Sequence, residues 1–484
     1  YDALGANTVG NNNIAIGTSA MKTNVAADRN VAIGFSALYS MTSGTTADTY
    51  NTAIGFNAGF AVTDGTNNTL IGGLAGTALT TGDQNIALGR SALSGAIGAG
   101  DNVAIGYAAM SANTTGNANV AIGTQALNGA NNSGTSTYNI GIGFKAGLVT
   151  STGTKNILIG GFAGDAITTA NYNIAIGHNA LSTSVDGDNN TAVGYGALNA
   201  FEGGSDEGDN TAIGASSQLN ASTGEFNTSL GSLSMGVGVT TGDYNTALGY
   251  QSGEDLVSGD QNTFVGAGAG KNMTTGHNNV AIGFEALATE DGNGRNIAIG
   301  VSALKLQNAG AEAYNVAIGF TAGESITLGI ANTLIGGLAG DAINQGNQNV
   351  AIGHAALSTN QEGDSNVAIG FEALYTLNPA DGNSYNTAVG TQAGKLMTTG
   401  IRNTIIGGLA GDVLTTGSYN VAIGHAALST EDAYGKNTAV GYGALATLNA
   451  AEDGFNVAVG FDAGIQMTTG LNNTIIGGLA GDAI

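Results

Sequence analysis

The chain has 484 residues, with 11 Lys and Arg against 35 Asp and Glu for a formal net charge of −24, and no Cys. These numbers exclude disulfides, thiolate metal sites and a cysteine nucleophile, and such acidity disfavours binding to nucleic acid or to anionic membranes. Hydrophobic residues make up 42% of the chain, with 82 Gly and no Trp, which favours narrow coils with many tight bends.

One motif recurs from end to end: an Asn followed four residues later by Gly, with an aliphatic residue just before that Gly. It occurs 27 times, from Asn13–Gly17 to Asn473–Gly477, and 19 of the 26 intervals between its asparagines are 17 residues. Such self-similarity is typical of one small unit stacked many times. We predict a single repeat domain over residues 1–484, a segment of a longer fibre protein. Its fold is an all-β parallel β-solenoid of about 27 coils of 17–21 residues, with one coil per repeat.

The predicted strand follows the repeat Asn, as in Asn349-Val350-Ala351-Ile352-Gly353. Alternation along a strand puts Val350 and Ile352 on one face, and their size predicts that this face is the core; Ile423 is the equivalent of Ile352 after Asn420. The Ala between them then points outward, yet this position is never charged. A strand that is apolar on both faces has two buried surfaces, so we expect a neighbouring copy of the chain to cover the outward alanines.

The bend and turn come next along the repeat. Gly353 and Gly424 are predicted to mark a backbone bend or a close approach that a Cβ would forbid. The Ala or Ser three residues later, Ala356 and Ala427 in these copies, is predicted to face inward on a second short strand. Turn residues such as 398–400 follow. The repeat asparagines, among them Asn349 and Asn420, are expected to bond to their copies in a side-chain ladder; a row of ligand-binding amides is the alternative.

A longer period of four repeats, about 70 residues, is superimposed on the first. Extra residues enter at one point of the coil, as in 376–384 with the chain's one proline, Pro379, and in the acidic insert 199–209. A glycan depolymerase would need clustered acids in such an insert, and Glu202 and Asp206 are the candidates. The rest of the repeat offers no nucleophile–base pair that stands out, so we predict that the chain is not an enzyme.

The residue directly after the repeat Gly is aromatic in many copies and is His354 and His425 in two of them. This pattern predicts a packing ladder of rings; sugar stacking on the rings is the alternative. His354 copies from three chains would be able to share an ion, and an Asp follows the Leu-Ala-Gly motif once per long period, as at Asp341 and Asp412. These four residues are the candidate metal ligands, with Ca²⁺ as the one cofactor left open.

With these motifs in hand, the chain resembles two groups of proteins over nearly its whole length. One is the head repeat of YadA-like trimeric autotransporter adhesins, built from Val-Ala-Ile-Gly units. The other is the Asn-Thr-Ala-Ile-Gly-Tyr repeat region of phage tail-fibre proteins, which residues 51–58 and 437–445 match closely. The resemblance implies a left-handed β-roll in each of three chains packed side by side into a rod.

We therefore expect the structural shaft of an extracellular fibre, a phage tail fibre that spaces or presents host-receptor binding. The alternatives are the head of a bacterial trimeric surface adhesin and a self-polymerising extracellular filament. The expected partners are two further copies of the chain and a glycan or protein receptor on a host cell. No nucleic-acid partner is expected. No membrane insertion of this segment is expected either, since no apolar run approaches the roughly 20 residues of a membrane span.

Overall fold

The computed structural model describes residues 1–42, 48–130, 136–204, 208–380 and 382–482. This part of the chain has no helix, and so none that is long and apolar enough to cross a membrane. It consists of short parallel strands joined by turns. The predicted all-β class and parallel β-solenoid are confirmed, with about 26 turns among these residues. Contacts divide the chain into two compact units, Tyr1–Tyr244 and Asn245–Ile484.

The first unit holds thirteen described strands, each of three residues and each starting directly after a repeat Asn. They are β1 (Ile14–Ile16), β2 (Val31–Ile33), β3 (Thr52–Ile54), β4 (Thr69–Ile71), β5 (Ile86–Leu88), β6 (Val103–Ile105), β7 (Val120–Ile122), β8 (Ile140–Ile142), β9 (Ile157–Ile159), β10 (Ile174–Ile176), β11 (Thr191–Val193), β12 (Thr211–Ile213) and β13 (Thr228–Leu230).

The second unit repeats the arrangement, with two additional two-residue strands, Gly363–Asp364 and Gly382–Asn383, that pair with each other next to Pro379. Its described strands are β14 (Thr246–Leu248), β15 (Thr263–Val265), β16 (Val280–Ile282), β17 (Ile297–Ile299), β18 (Val316–Ile318), β19 (Thr333–Ile335), β20 (Val350–Ile352), β21 (Gly363–Asp364), β22 (Val367–Ile369), β23 (Gly382–Asn383), β24 (Thr387–Val389), β25 (Thr404–Ile406), β26 (Val421–Ile423), β27 (Thr438–Val440), β28 (Val457–Val459) and β29 (Thr474–Ile476).

Within each unit, each three-residue strand pairs in parallel with its counterpart in the next coil, and equivalent repeat positions lie opposite each other. In the second unit, for example, Ala351 lies opposite Ala368 and Ile352 opposite Ile369. The inserts leave this register intact, since β22 and β24, which flank the insert at Pro379, pair in the same way. Coils of 17 to 21 residues therefore present one uniform sheet face in each unit.

The prediction of which strand residues face the core is wrong. The middle residue of the strand is buried: Ala351 has no exposed surface, while Val350 and Ile352 on either side are only half-buried. Ile423 is likewise half-buried beside the fully buried Ala422. The alanines therefore line the interior and the larger aliphatic side chains point outward, the reverse of the expected arrangement.

The narrow interior of the coil explains this reversal. In the coils of Ala351 and Ala422, the core is filled from the opposite side by the fully buried Leu357 and Leu428. Where that position is Gly340, the strand supplies Leu334 instead, and a Cβ on Gly340 would lie 2.8 Å from a Leu334 methyl carbon. Each cross-section thus has room for few large side chains, so Ala351 accompanies Leu357 and Gly340 accompanies Leu334.

The predicted second short strand is also absent, because a left-handed turn takes its place. After Gly353, Ala355 and Leu357 adopt φ values of 53° and 55°, the left-handed region that non-glycine residues enter at a cost of about 1 kcal/mol each. Their backbone N–H groups are bonded to neighbouring coils, Ala355 N to Gly337 O at 2.9 Å and Leu357 N to Ala373 O at 3.0 Å. Hydrogen bonds between stacked coils therefore hold the turn without a strand.

Candidate functional site

The repeat asparagines form the buried ladder that the sequence predicts. The side chain of Asn349 donates from Nδ2 to Asn332 Oδ1 at 3.2 Å and to Gly363 O at 3.0 Å, and its Oδ1 accepts from Asn366 N at 3.0 Å. Asn420 occupies the same place, since its N donates to Asn403 Oδ1 and its Oδ1 accepts from Asn437 N. Both asparagines are almost completely buried, so their amides bond to the protein itself and do not line a surface.

Gly353 and Gly424 permit the close approach that the sequence predicts. Their φ values are 135° and 133°, and a Cβ on either would lie within 2.4 Å of the carbonyl oxygen of the equivalent Gly in the next coil. Ala356 and Ala427 have no exposed surface and face the interior, as expected, although they lie in the turn and not on a strand. These repeat positions hold the fold together.

The candidate metal ligands do not converge among the described residues. His354 stacks on Phe371 with ring centroids 5.7 Å apart, and His425 stacks on Tyr442 at 5.4 Å, so both rings belong to the predicted ladder. Asp341 Oδ1 accepts a hydrogen bond from Ser358 Oγ at 2.5 Å. Within the described ranges, no three His, Asp or Glu side chains are grouped closely enough to hold a metal ion.

Burial raises the pKa of both Asp341 and Asp412, and hydrogen bonds, from the Ser358 side chain and the backbone at Asp341 and from the backbone at Asp412, partly offset the increase. Of the two acids proposed for a depolymerase, Glu202 is exposed and Asp206 lies outside the described residues.

The surface that stands out is the outer strand face, which we define as the residues one before, and one, three and five after, each repeat Asn. In the type coil these are Gln348, Val350, Ile352 and His354, all more exposed than the Asn349 and Ala351 between them. The two inner columns are aliphatic or Thr, with exposed fractions such as 36% at Ile282 and 38% at Ile406. A parallel sheet is normally covered on both faces, and this face is open in the single chain.

Aromatic rings border the aliphatic columns on both sides. The column after the bend stacks from coil to coil, as in Phe35–Phe56 with centroids 5.5 Å apart in the first unit and Tyr442–Phe461 at 5.2 Å in the second. The column before the Asn combines rings with cations, as where the Arg402 guanidinium lies 5.5 Å from the Tyr419 ring centroid. Such amphipathic rings and arginines are the residue types enriched at protein interfaces.

Two buried glutamates were missed by reasoning from the sequence. Glu290 and Glu431 have no exposed surface, and burial raises the pKa of both. Glu290 Oε1 accepts from Asn293 N at 3.1 Å, and Glu431 Oε1 accepts from Tyr434 N at 3.2 Å. Aligning the repeats would have identified this role, because the same position holds a turn-closing Asn360, whose Oδ1 accepts from Gly363 N. The glutamates therefore close turns and do not form a reactive site.

Comparison with known proteins adds no family to this description. No family model matches the chain, and no curated protein is significantly similar to it.

Proposed function

We propose that this chain is a structural shaft segment of an extracellular fibre, in which three copies pack side by side through the outer strand face. The observation that carries the proposal is the aliphatic face itself, repeated at constant register within each unit and left open by the single chain. Contiguous apolar surface of this kind marks an interaction site in soluble proteins. The alanines expected to point outward are buried, and outward Ile, Val and Thr form the apolar face that supports an oligomer.

Three further features support a mechanical role. Within each unit, each coil bonds to the next through its backbone and its Asn side chain, so the coils are cross-linked along the stacking direction. The acidic charge of −24 keeps exposed flanks apart and limits nonspecific clumping. The resemblance to phage tail-fibre repeats favours a virion fibre that presents binding to a host glycan or protein receptor. The resemblance of the chain to trimeric adhesin heads makes a bacterial cell-surface adhesin the second candidate function.

Thiol labelling tests the packing. The chain has no Cys, so single variants Ile406→Cys, on the outer strand face, and Thr399→Cys, in an exposed turn, each carry one thiol. We expect a maleimide to react at least tenfold more slowly with the cysteine at 406 than with that at 399, because a second copy covers the face. Equal rates would contradict packing through this face.

Immunogold electron microscopy tests the biological setting. Antibodies raised against the chain should label tail fibres on virions from the microbial population that carries its gene. Label on bacterial cell surfaces and none on virions would replace the tail-fibre proposal with the adhesin.

A further inference from the structure

One coil of the second unit interrupts the ring column and opens a notch of about 330 Å³. The rings of Tyr250 and Phe284 line it on two sides, and Ala267 and Gly268 from the intervening coil form its floor. Both rings are about half exposed, at 54% and 52%. We call this feature the notch.

The notch exists because the coil that begins at Asn262 carries two small residues, Ala267 and Gly268, between the rings of the coils on either side. In other coils, where Gly stands at the ring position, a large side chain follows at the next position: Leu74, Phe162, Leu338, Leu409 or Leu479. Here the small Ala267 is followed by Gly268, so neither position fills the space. The same coil places Phe264 in the core, completely buried, where Gly270 leaves room for its ring.

The distance between the two rings suits one saturated ring. Rings in adjacent coils stack nearly parallel, as His425 and Tyr442 do with planes 9° apart. Tyr250 and Phe284 are two coils apart, which corresponds to about 9.6 Å at the usual strand spacing of about 4.8 Å. Carbon atoms in contact lie about 3.5–4.0 Å apart. One puckered ring therefore fits between the two aromatic faces, with C–H groups directed at both.

Polar groups surround the notch on the side beyond the Gly bend. Lys305 Nζ lies 2.7 Å from Glu285 Oε2, and Lys271 Nζ lies 3.4 Å from Glu254 Oε2. The Gln251 amide also reaches Glu254, with Nε2 donating to Oε1 at 2.9 Å. Each lysine is paired with a carboxylate, so the rim has donors and acceptors but no net positive charge for an anionic guest.

We propose that the notch binds a neutral hexopyranose unit of a glycan, held between Tyr250 and Phe284 with its hydroxyls bonded to Lys271 and to the Lys305–Glu285 pair. A pyranose combines apolar C–H faces with a polar edge, whereas a planar aromatic guest would leave the rim without partners. This deepens the proposed attachment role by naming a receptor class, and rests on that role only for the setting in which the sugar is met. Tyr250, Ala267 and Phe284 belong to the ring column that borders the aliphatic columns of the outer strand face, and the rim lies past the bend, so we expect a sugar to enter from the side of the bend while copies pack through the aliphatic columns.

Saturation-transfer-difference NMR on the intact chain tests the site with methyl glycosides of glucose, galactose and mannose. We expect saturation transfer to the ring C–H protons of at least one of them at millimolar concentrations. Ala267→Phe, which restores the ring column, and Phe284→Ala, which removes one wall, should each weaken binding at least tenfold. Phe320→Ala removes an equally exposed ring at the same repeat position elsewhere and should leave binding unchanged.

Three results would overturn the proposal. The first is no saturation transfer to any of the three glycosides at 50 mM, which is about ten times the dissociation constant expected for a single sugar. The others are equal sugar binding by Ala267→Phe and the unaltered chain, and binding of p-cresol with no binding of sugars. Failure here leaves the proposed shaft intact, because the mass of the assembly is measured separately. Sugar binding in the notch by a chain that sediments as a monomer would support the sugar site and contradict the side-by-side shaft.

Discussion

At the residue scale, the asparagine ladder concentrates several hydrogen bonds in one buried side chain. Removing the amide of Asn349 leaves the buried Asn366 N without its partner and takes one of two hydrogen bonds from Gly363 O, which keeps the bond from Asn360 Nδ2. Each buried group left unpaired costs about 1–3 kcal/mol. The ladder is therefore expected to contribute more per residue than the outward aliphatic side chains, which the single chain leaves half-exposed.

We predict that Asn349→Ala lowers the free energy of unfolding by about 3 kcal/mol, because it leaves the backbone N–H of Asn366 unpaired as well as removing the side chain's own hydrogen bonds to Asn332 and Gly363. Chemical denaturation followed by circular dichroism measures the change. The matched control is Gln361→Ala, at an exposed position in the next turn, which should change stability by less than about 0.5 kcal/mol. Equal effects of the two variants would show that the ladder is not a main source of stability.

The buried glutamates give the fold a pH dependence of known sign. Burial raises the pKa of Glu290 and Glu431 above that of an unfolded glutamate, so the folded state holds protons more tightly. Their contribution to stability is fully present below the unfolded pKa and is lost as the pH rises through the folded pKa. On this basis the free energy of unfolding falls as the pH rises from the ordinary glutamate range toward neutrality.

We predict that the double variant Glu290→Gln/Glu431→Gln flattens this dependence, with a smaller change in thermal midpoint between pH 5 and pH 7 than in the unaltered chain. The matched control, Glu362→Gln/Glu452→Gln, removes the same charge from exposed positions and should retain the full dependence. An equal pH dependence in all three proteins would contradict the role of the buried pair.

At the element scale, the strand and its bend depend on a glycine that no other residue replaces. Gly353 N donates to Ile335 O at 2.8 Å, and a Cβ on this residue would come 2.4 Å from Gly370 O. Its φ of 135° is a region that side chains other than glycine's rarely enter. The clash is with backbone, so it cannot be relieved by rotation of a side chain.

We predict that Gly353→Ala destabilises the fold by about 3 kcal/mol or more, from backbone strain and the clash together. Gly337→Ala is the control in the adjacent coil, because its nearest contact would be the His354 ring at 3.6 Å, an ordinary van der Waals distance. Its effect should stay below about 1 kcal/mol. If urea midpoints for the two variants coincide, the bend does not require glycine.

The repeat made the strand, the bend and the ladder predictable, because each depends on local rules of spacing. Asn349 and Gly353 recur at fixed positions whose chemistry has one good explanation. The side of the strand on which Ile352 lies was not predictable in the same way, because a three-residue strand that is apolar on both faces has no polar face to point to solvent. Only the packing of Leu357 or Leu334 in the interior of the coil shows that Ala351 faces inward.

The notch could not be predicted for a related reason. The change from Gly-Gly-Leu to Ala267-Gly268 is visible in the sequence, but its meaning depends on Tyr250 and Phe284 lying on the same column, two coils apart. The length of the coil and the register of the sheet decide that placement. A systematic alignment of the repeats would have identified the departure without revealing the cavity.

At the scale of the whole molecule, we propose that the outer strand face joins copies of the chain. Columns of Ile, Val and Thr bordered by rings are open in each unit, and charge on such a column would oppose association. We predict that Ile352→Lys/Ile406→Lys weakens or abolishes assembly, although both side chains lie outside the core and the fold persists by circular dichroism. Gln361→Lys/Thr399→Lys adds the same charge at exposed turns and should leave assembly unchanged.

Sedimentation equilibrium of the purified chain is the most direct measurement. The account predicts a mass near three times the 47.4 kDa of one chain, with the outer-face lysine variant shifted toward the single-chain mass and the turn variant unshifted. A stable mass of 47.4 kDa for the unaltered chain at micromolar concentration would contradict it. The open aliphatic face would then belong to a solenoid that works alone.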